Sequence, residues 1–392
     1  MEVKPKIETF ARIKVLGIGG SGTNAVNRMT ELGIRGVEFI SINTDAQALH
    51  NNQADRKVHI GKGITKGLGS GMNPELGRQA AEESVEELEE VISNSDMVFI
   101  TCGLGGGTGT GAAPIVAELA KNKGILTVAV VTKPFTFEGS KRKEVAETGY
   151  DNLKDKVDAI ISIHNDRILQ IIDKKTSLIE AFRTVDEVLR QGISGISDLI
   201  TTHGIVNADF ADVRSIMQDA GTALMGIGRG SGENRAQDAA KAAISSPLLE
   251  LTIDGAKGVL FNVTGGKDLG MFEIDEAAKV ITKSIDSDAK VKFGAVIDEE
   301  MGDEIRITVI ATGFDEGNKR LSSAMNLGLA EEPKRPAAIE HKFQPAATPP
   351  VEVRKPLFNP KPVEAVKPMP QPEENNADDE LEIPAFIRKK MK

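Results

Sequence analysis

The chain has 392 residues, with 48 Lys+Arg against 58 Asp+Glu and a formal net charge of −10. Its 40% hydrophobic content supplies a sizeable core, and its length suggests two or three domains. Acidity with no Trp, one Tyr and 14 Phe excludes a general nucleic-acid binder, which needs a basic face and stacking platforms. The lone cysteine, Cys102, excludes an intrachain disulfide and a cysteine-based zinc site. No apolar h-region follows Met1, and the longest apolar runs, such as Ile125 to Val131, are too short to span a bilayer. A soluble, unsecreted, cytosolic chain is expected.

In chain order, Ile13 to Ile18 reads as a strand, Asn24 to Leu32 as a helix and Val37 to Asn43 as a strand. Glu82 to Ile92 reads as a helix, Met97 to Thr101 as a strand, Ala112 to Lys121 as a helix and Leu126 to Val131 as a strand. Helix, strand and helix follow at Glu144 to Leu153, Ala159 to Ile163 and Asp166 to Ile172. Strands interleaved with helices predict a parallel sheet covered on both faces. A long helix at Leu178 to Ile200 closes this part. Strand-like runs at 223–227, 259–264, 290–297 and 304–312, with helices near 235–244 and 275–287, predict a smaller α+β domain.

Proline marks the next boundary: 12 of the 17 prolines lie in residues 317–392. From Gly317 to Glu380 the chain lacks hydrophobic periodicity, which predicts a disordered linker. Residues 381–392, LEIPAFIRKKMK, then set Leu381, Ile383, Phe386 and Ile387 beside four basic residues. A short amphipathic peptide on a tether is a partner-docking device; a frayed terminus is the plainer alternative.

Two glycine loops carry the chemistry. The first strand runs into Gly17-Ile18-Gly19-Gly20-Ser21-Gly22-Thr23-Asn24, and Asp45 follows at the end of the next strand. Alone, this fits a dinucleotide-binding fingerprint, or a glycine-rich turn without a ligand. The second loop, Gly103 to Gly111, holds six glycines in nine residues together with Thr108 and Thr110, and a helix follows it. Two anion cradles, on strands that a parallel sheet could bring side by side, suit a triphosphate better than a nicotinamide dinucleotide. No Walker loop, G-x-x-x-x-G-K-[ST], is present.

The GGGTGTG run at 105–111 resembles the signature of the tubulin/FtsZ superfamily, and residues 11–316 resemble its bacterial cell-division branch nearly throughout. The likeness includes NTDAQAL (43–49), KPFTFEG (133–139), NDRIL (165–169), AFR (181–183), NADFADV (207–213), ALMGIG (223–228), GENRA (232–236) and AISSPLLE (243–250). LEIPAFIRKK is similar to the family's C-terminal peptide. Ser21 and Thr23 depart from the usual Gly and Asn of the first loop, and Met72 from the usual Ala of the loop Gly67–Pro74. The resemblance implies a Rossmann-like GTPase domain with a parallel sheet, joined by a long central helix to a smaller α+β domain. The expected divisions are a 1–10 extension, an 11–177 GTPase domain, a 178–201 helix, a 202–220 catalytic loop with its following helix, and a 221–316 α+β domain. A 317–380 linker and a 381–392 peptide complete the chain.

By the same resemblance, Gly19, Gly20, Ser21, Gly22 and Thr23 wrap the phosphates of GTP or GDP on one side. Gly105, Gly106, Gly107, Thr108 and Gly109 wrap them on the other, and Gly71 lies in the γ-phosphate loop. A hydroxyl at Thr23 is expected to retune the phosphate contacts slightly. Asn24, Asn165 and Asp186 surround the base, Phe182 stacks on it, and Glu138 and Arg142 hold the ribose and phosphate side. Read locally, Asp186 and Arg190 form a solvated i,i+4 pair, Phe182 is a core residue and Asn165 caps a helix. Neither glycine loop offers an acid or base for water. Asp209 and Asp212, with Asn207, are implied as the catalytic group, acting on the next subunit of a head-to-tail homopolymer; locally the two acids are a helix-capping pair. Mg2+ on the phosphates, membrane-anchoring division adaptors at 381–392 and division regulators are the remaining implied partners. No nucleic acid, direct membrane insertion or dedicated protein metal site is expected. The implied location is the cytoplasm, at the division site beneath the inner membrane.

Overall fold

The computed structural model describes residues 11–314, apart from 35, 174, 202–205, 207, 250 and 251. The expected N-terminal extension, the linker, the C-terminal peptide and Asn207 therefore lie outside the described residues. The first half contains β1 (Ile13–Ile18), α1 (Gly19–Glu31), β2 (Val37–Asn43), α2 (Ala46–His50), β3 (Arg56–His59) and α3 (Lys62–Thr65). It continues through α4 (Pro74–Glu83), α5 (Val85–Ile92), β4 (Met97–Gly103), α6 (Gly107–Asn122), β5 (Leu126–Lys133), α7 (Ser140–Lys154), β6 (Ala159–His164) and α8 (Asn165–Ile168). The rest is α9 (Leu178–Thr201), α10 (Phe210–Met217), β7 (Gly221–Gly230), α11 (Arg235–Ile244), β8 (Gly258–Gly265), α12 (Met271–Thr282), β9 (Lys290–Ile297) and β10 (Ile305–Thr312).

All ten strands join one sheet, ordered β3-β2-β1-β4-β5-β6-β7-β10-β8-β9. The strands from β3 to β7 pair in parallel, but β7 meets β6 over only three residue pairs, Ala159↔Gly221 to Ile161↔Ala223. Beyond that short seam β10 runs antiparallel to β7 and β8, and β9 is parallel to β8. The sheet is thus doubly wound in its first part and mixed in its second.

Strand alternation sorts the core. Val15, Phe39, Phe99 and Val130 face α1, α9 and α10, which contribute Val26, Met29, Val188, Ile193, Val213 and Met217. Leu16, Ile40, Ile100 and Val131 face the other way, against Ala80, Leu88, Val116 and Ala146 of α4–α7. Leu260 and Ile310 of the second part join the α9 face, so the central helix packs across both parts of the sheet. Their strand neighbours Phe261, Val309 and Ala311 pack against α11 and α12 instead.

Some element limits differ from the sequence expectation. The helix expected at 82–92 is two helices broken at Ser84, whose Oγ accepts the Gly61 N–H at 3.2 Å. The helix expected at 166–172 is the single turn of α8. Helix α6 starts at Gly107, five residues before the expected Ala112. Glycine is a poor helix former, but a Cβ at Gly111 would collide with the Pro74 carbonyl. The glycines let α4 and α6 touch backbone to backbone.

Candidate functional site

The connections from β1 and β4 leave toward opposite sides of the sheet, so a crevice opens between adjacent strands at their carboxyl ends. Both strands feed straight into helices. Neither α1 nor α6 has a side-chain N-cap or an acidic residue in its first turn. Their neighbours differ: Asp45 caps α2 and Asn73 caps α4 through side-chain oxygens. The two uncapped helix starts present their positive dipole ends to one crevice of about 300 Å3. Gly19, Gly20, Ser21, Gly71 and Gly106–Gly109 line it, with Asn43, Asp45, Ser70 and Arg142.

The glycines have distinct tasks. A Cβ at Gly20 would meet nothing within 4 Å, and one at Gly106 only Gly103 O at 4.0 Å, so these two border open space. Gly19 has φ +72°, and a Cβ there would lie 2.7 Å from Gly109 N, where the two loops abut. The Gly107 N–H donates to Gly71 O at 2.8 Å, and a Cβ on Gly107 would stand 2.6 Å from that oxygen and from Ser70 Oγ. Gly105 donates to Thr110 Oγ1 at 2.9 Å. The amides of Gly105 and Gly107 therefore hold the loops together, and not every glycine amide points at the crevice.

Three loops meet through hydroxyls. Thr108 Oγ1 lies 2.6 Å from both Thr44 Oγ1 and Ser70 Oγ. The Thr23 hydroxyl has its partners inside its own loop. Its Oγ1 donates to Gly19 O and Gly20 O at 2.9 and 3.0 Å, so it is engaged inside the helix start. Ser21 and Asn24 are exposed, while Gly22 is buried against the Thr101 carbonyl. Asn43 was not singled out from sequence. Its Oδ1 accepts the Thr44 N–H at 2.9 Å, whereas its Nδ2 is buried with no partner among the described residues. An unpaired buried donor at an anion-shaped crevice is what a ligand oxygen satisfies.

Beyond the crevice lie the loops after β5 and β6. Glu138 accepts the Phe135 N–H at 2.9 Å and pairs with Arg142 Nη1 at 2.8 Å. Thr136 donates to Asp166 through both its N–H and its hydroxyl, which ties the two loops together. Asn165 is the first residue of α8 rather than its cap, is 6% exposed, and has no partner for Oδ1 among the described residues. Phe182 is no core residue. It is 42% exposed and stands edge-on to Phe135, which stacks against the exposed Phe137. Arg190 forks onto Glu187 at 2.6 and 2.7 Å, which removes the Asp186–Arg190 alternative. Burial pushes the Asp186 carboxyl up to about 6, with the Arg28 guanidinium opposing.

Asp209 and Asp212 lie at the other end of the parallel sheet. Asp209 is the exposed N-cap residue of α10, without a side-chain cap bond, and Asp212 sits in the first turn. Helix α10 is fastened below the sheet, where Arg214 Nη2 donates to Gly124 O at 3.2 Å just before β5 begins. The crevice lies past the far ends of the strands, and the eight residues of β5 alone span roughly 26 Å. Lys292 Nζ holds Asp212 Oδ1 at 3.0 Å.

Residues 12–173 match the tubulin/FtsZ family GTPase domain, and residues 221–315 match the FtsZ family C-terminal domain. An empty FtsZ dimer from M. jannaschii superposes with a TM-score of 0.76 at 45% identity, covering 79% of this chain and 90% of that one. This chain belongs to the FtsZ family. A mutant form of M. jannaschii FtsZ gives 46% identity, 78% and 92% coverage and a TM-score of 0.75. CetZ2 from Haloferax volcanii, a GTPγS-bound protofilament, shares the fold at 19% identity, with 81% and 100% coverage and a TM-score of 0.65. The GTPase domain of an FtsZ-family protein accounts for a doubly wound sheet with its crevice at the β1/β4 switch point. Among the described residues no group of three or more His, Cys, Asp or Glu is arranged to hold a metal ion, and no helix is long and apolar enough to cross a membrane.

Proposed function

We propose that this protein hydrolyses GTP in a site completed between copies stacked head to tail, and that the resulting filament is the scaffold of the division septum. The observation that carries this reading is the separation of the uncapped helix starts from the paired carboxylates. A single chain presents a triphosphate cradle at one end and its water-orienting acids at the other. Only a second copy, translated along the sheet, can bring them together. Leu68 at the crevice and Met72, Phe137, Leu169, Ile171, Ile179 and Phe182 in the loops and helix starts that follow are also exposed, apolar surface suited to burial against that copy. The dimeric and protofilament states of the matched relatives support self-association.

In this mechanism the N-termini of α1 and α6 bind the phosphates, with Gly20 and Gly106 leaving them room. Thr44, Ser70 and Thr108 hold the 67–73 loop where it meets the γ-phosphate. Guanine presents N1–H and N2–H2 donors, which the oxygens of Asp186 and Asn165 accept, with Asn24 beside them and Phe182 against the ring. Glu138 and Arg142 take the ribose side. Asp209 and Asp212 of the neighbour, with Asn207, orient water in line with the γ-phosphate, and positioning supplies most of the acceleration. The hydroxyl, amide and single Asp45 donors of the crevice suit Mg2+ held mainly through the phosphates, where it would neutralise their charge. The proposed location is cytoplasmic, beneath the inner membrane at the division site. Adaptors dock at residues 381–392, and division regulators act on the assembled polymer.

The test is phosphate release per subunit over a wide dilution series with GTP and Mg2+, alongside sedimentation. Specific activity is expected to rise steeply with concentration and to track sedimented polymer. A rate per subunit independent of concentration would place a complete site within one chain. Binding and assembly without turnover would leave a structural GTP-binding homologue as the better reading.

A further inference from the structure

The two proposed catalytic carboxylates are not equivalent in the structure. Asp209 is exposed and caps nothing with its side chain, whereas Asp212 is half-buried and held by Lys292 across from the edge strand β9. The strand register makes this placement specific. In β9, Lys290, Lys292 and Gly294 alternate with Val291 and Phe293. Phe293 stacks on Phe261 at 5.6 Å on the α11/α12 face. A Cβ at Gly294, on the opposite face, would meet Val206 O at 3.3 Å. Ala295 N donates to Val206 O at 3.0 Å, so the segment leading to Asp209 is pinned along this same edge. Lys292 therefore projects toward the start of α10, and its ammonium meets Oδ1 of Asp212; a carboxylate held through one oxygen can still accept from water through the other.

We infer that Lys292 is the positioning residue of hydrolysis, fixing the Asp212 rotamer that is presented to the γ-phosphate of the adjoining copy. This rests on the shared-site reading proposed above. The same ammonium offsets a repulsion that the reading otherwise leaves unbalanced. Two carboxylates must approach a triphosphate, and a cation travelling with one of them lowers the like-charge cost of docking in that geometry. Lysine suits the task because one nitrogen can hold Oδ1 while its remaining N–H bonds stay with water. A single misplaced water-orienting group can slow such a reaction by about tenfold or more.

The experiment uses the full chain with Lys292→Ala, Lys292→Arg, Asp212→Ala and the Lys292→Ala/Asp212→Ala pair. GTP affinity is measured on dilute protein, the assembly threshold by sedimentation, and turnover per sedimented subunit by phosphate release. Lys292→Ala is expected to lower turnover per assembled subunit about tenfold while affinity stays within about twofold. Lys292→Arg should restore most of the rate, and the double variant should be no slower than Asp212→Ala, because Lys292 acts through that carboxylate. Unchanged turnover in Lys292→Ala, beside a strong loss in Asp212→Ala, overturns the inference and leaves the shared site standing. A double variant slower by the product of the two single losses also overturns it. Normal turnover in Asp212→Ala would remove the shared-site reading itself.

Discussion

The two ends of the parallel sheet are built by opposite rules. At the carboxyl ends of β1 and β4, two helices start without side-chain caps or first-turn acids, Asn43 Nδ2 has no partner among the described residues, and apolar side chains stand in solvent. At the amino ends polar groups are matched. Asp158 accepts the Thr127 N–H, Lys121 pairs with Asp219, Arg214 reaches Gly124 O and Lys292 pairs with Asp212. Buried polar groups without partners are costly, so Asn43 Nδ2 beside the two uncapped helix starts marks where an external group is accommodated. In the proposed shared site, the carboxylates at the far end would serve a neighbouring copy rather than their own chain.

The sharpest way to break this contrast is to fill the crevice without disturbing the fold. Gly106→Val adds a side chain where the nearest neighbouring atom lies 4.0 Å from the Cβ position, at negative φ, so melting temperature should change little. GTP affinity should fall ~100-fold or more, equivalent to about 2.7 kcal/mol, measured by titration of a fluorescent GTP analogue. Gly107→Val should also lose binding, but for another reason. Its Cβ would stand 2.6 Å from Ser70 Oγ and Gly71 O, so the loops must part and stability should drop as well. Equal melting temperatures for the two variants would contradict the division of labour among these glycines.

At the opposite end, Asp212→Ala and Asp209→Ala should leave GTP affinity of the monomer within about twofold while turnover falls ~10^2 to 10^4-fold, the usual range for a lost acid–base group. Filaments of these variants should outlast those of the parent. Loss of nucleotide binding by the dilute monomer would bring the carboxylates into the chain's own crevice and erase the contrast between the ends.

Much of this was legible in sequence, and the omissions have physical causes. The strands were found because β-branched runs with alternating or continuous burial are strong signals, and both glycine loops declared themselves by composition. The contributions of Thr44, Ser70 and Asn43 were missed because they depend on three loops meeting, which no local pattern encodes. The starts of α1 and α6 were placed too late, since glycine lowers helix propensity where tertiary contact requires it. Phe182 looked like part of an apolar helical stripe, and only its packing shows the ring left available. Lys292 is one lysine in an ordinary alternating strand until register sets it against Asp212.

A smaller effect sharpens the reading of the guanine side. The folded Asp186 carboxyl keeps its proton up to about pH 6, against an ordinary value of 3.8. Between those values the folded chain binds more protons than the unfolded one, so this group's contribution to stability falls as pH rises through that window. Asp186→Asn should accordingly raise the melting temperature of nucleotide-free protein at pH 7. Guanine donors favour the ionised carboxylate, so binding should release a proton below pH 6. GTP affinity at pH 5 should be about tenfold weaker than at pH 7, and Asp186→Asn should flatten that dependence. A pH profile identical in the variant would remove Asp186 from base recognition.

The smallest expected effect on the body comes from removing residues 381–392, which lie outside the described residues. The composition of 317–380 predicts a tether, with nine Lys+Arg nearly balancing ten Asp+Glu, so the tip should act independently of the fold. Deletion should change GTP turnover and sedimentation by less than about twofold, because nothing in the two-ended mechanism draws on it. Adaptor docking should be lost altogether. Ile383, Phe386 and Ile387 offer an apolar anchor, while Arg388, Lys389 and Lys390 favour an acidic rim on the receptor. Direct contact of these basic residues with anionic lipid is the competing explanation. One short apolar cluster with four charges gives only marginal, salt-sensitive attachment by that route. Recruitment of the full chain and of Phe386→Ala to anionic vesicles, with and without a purified membrane-attached adaptor, separates the two. Strong recruitment to bare vesicles that survives physiological salt would favour lipid. Recruitment that requires the adaptor and fails for Phe386→Ala would assign the peptide to a protein groove.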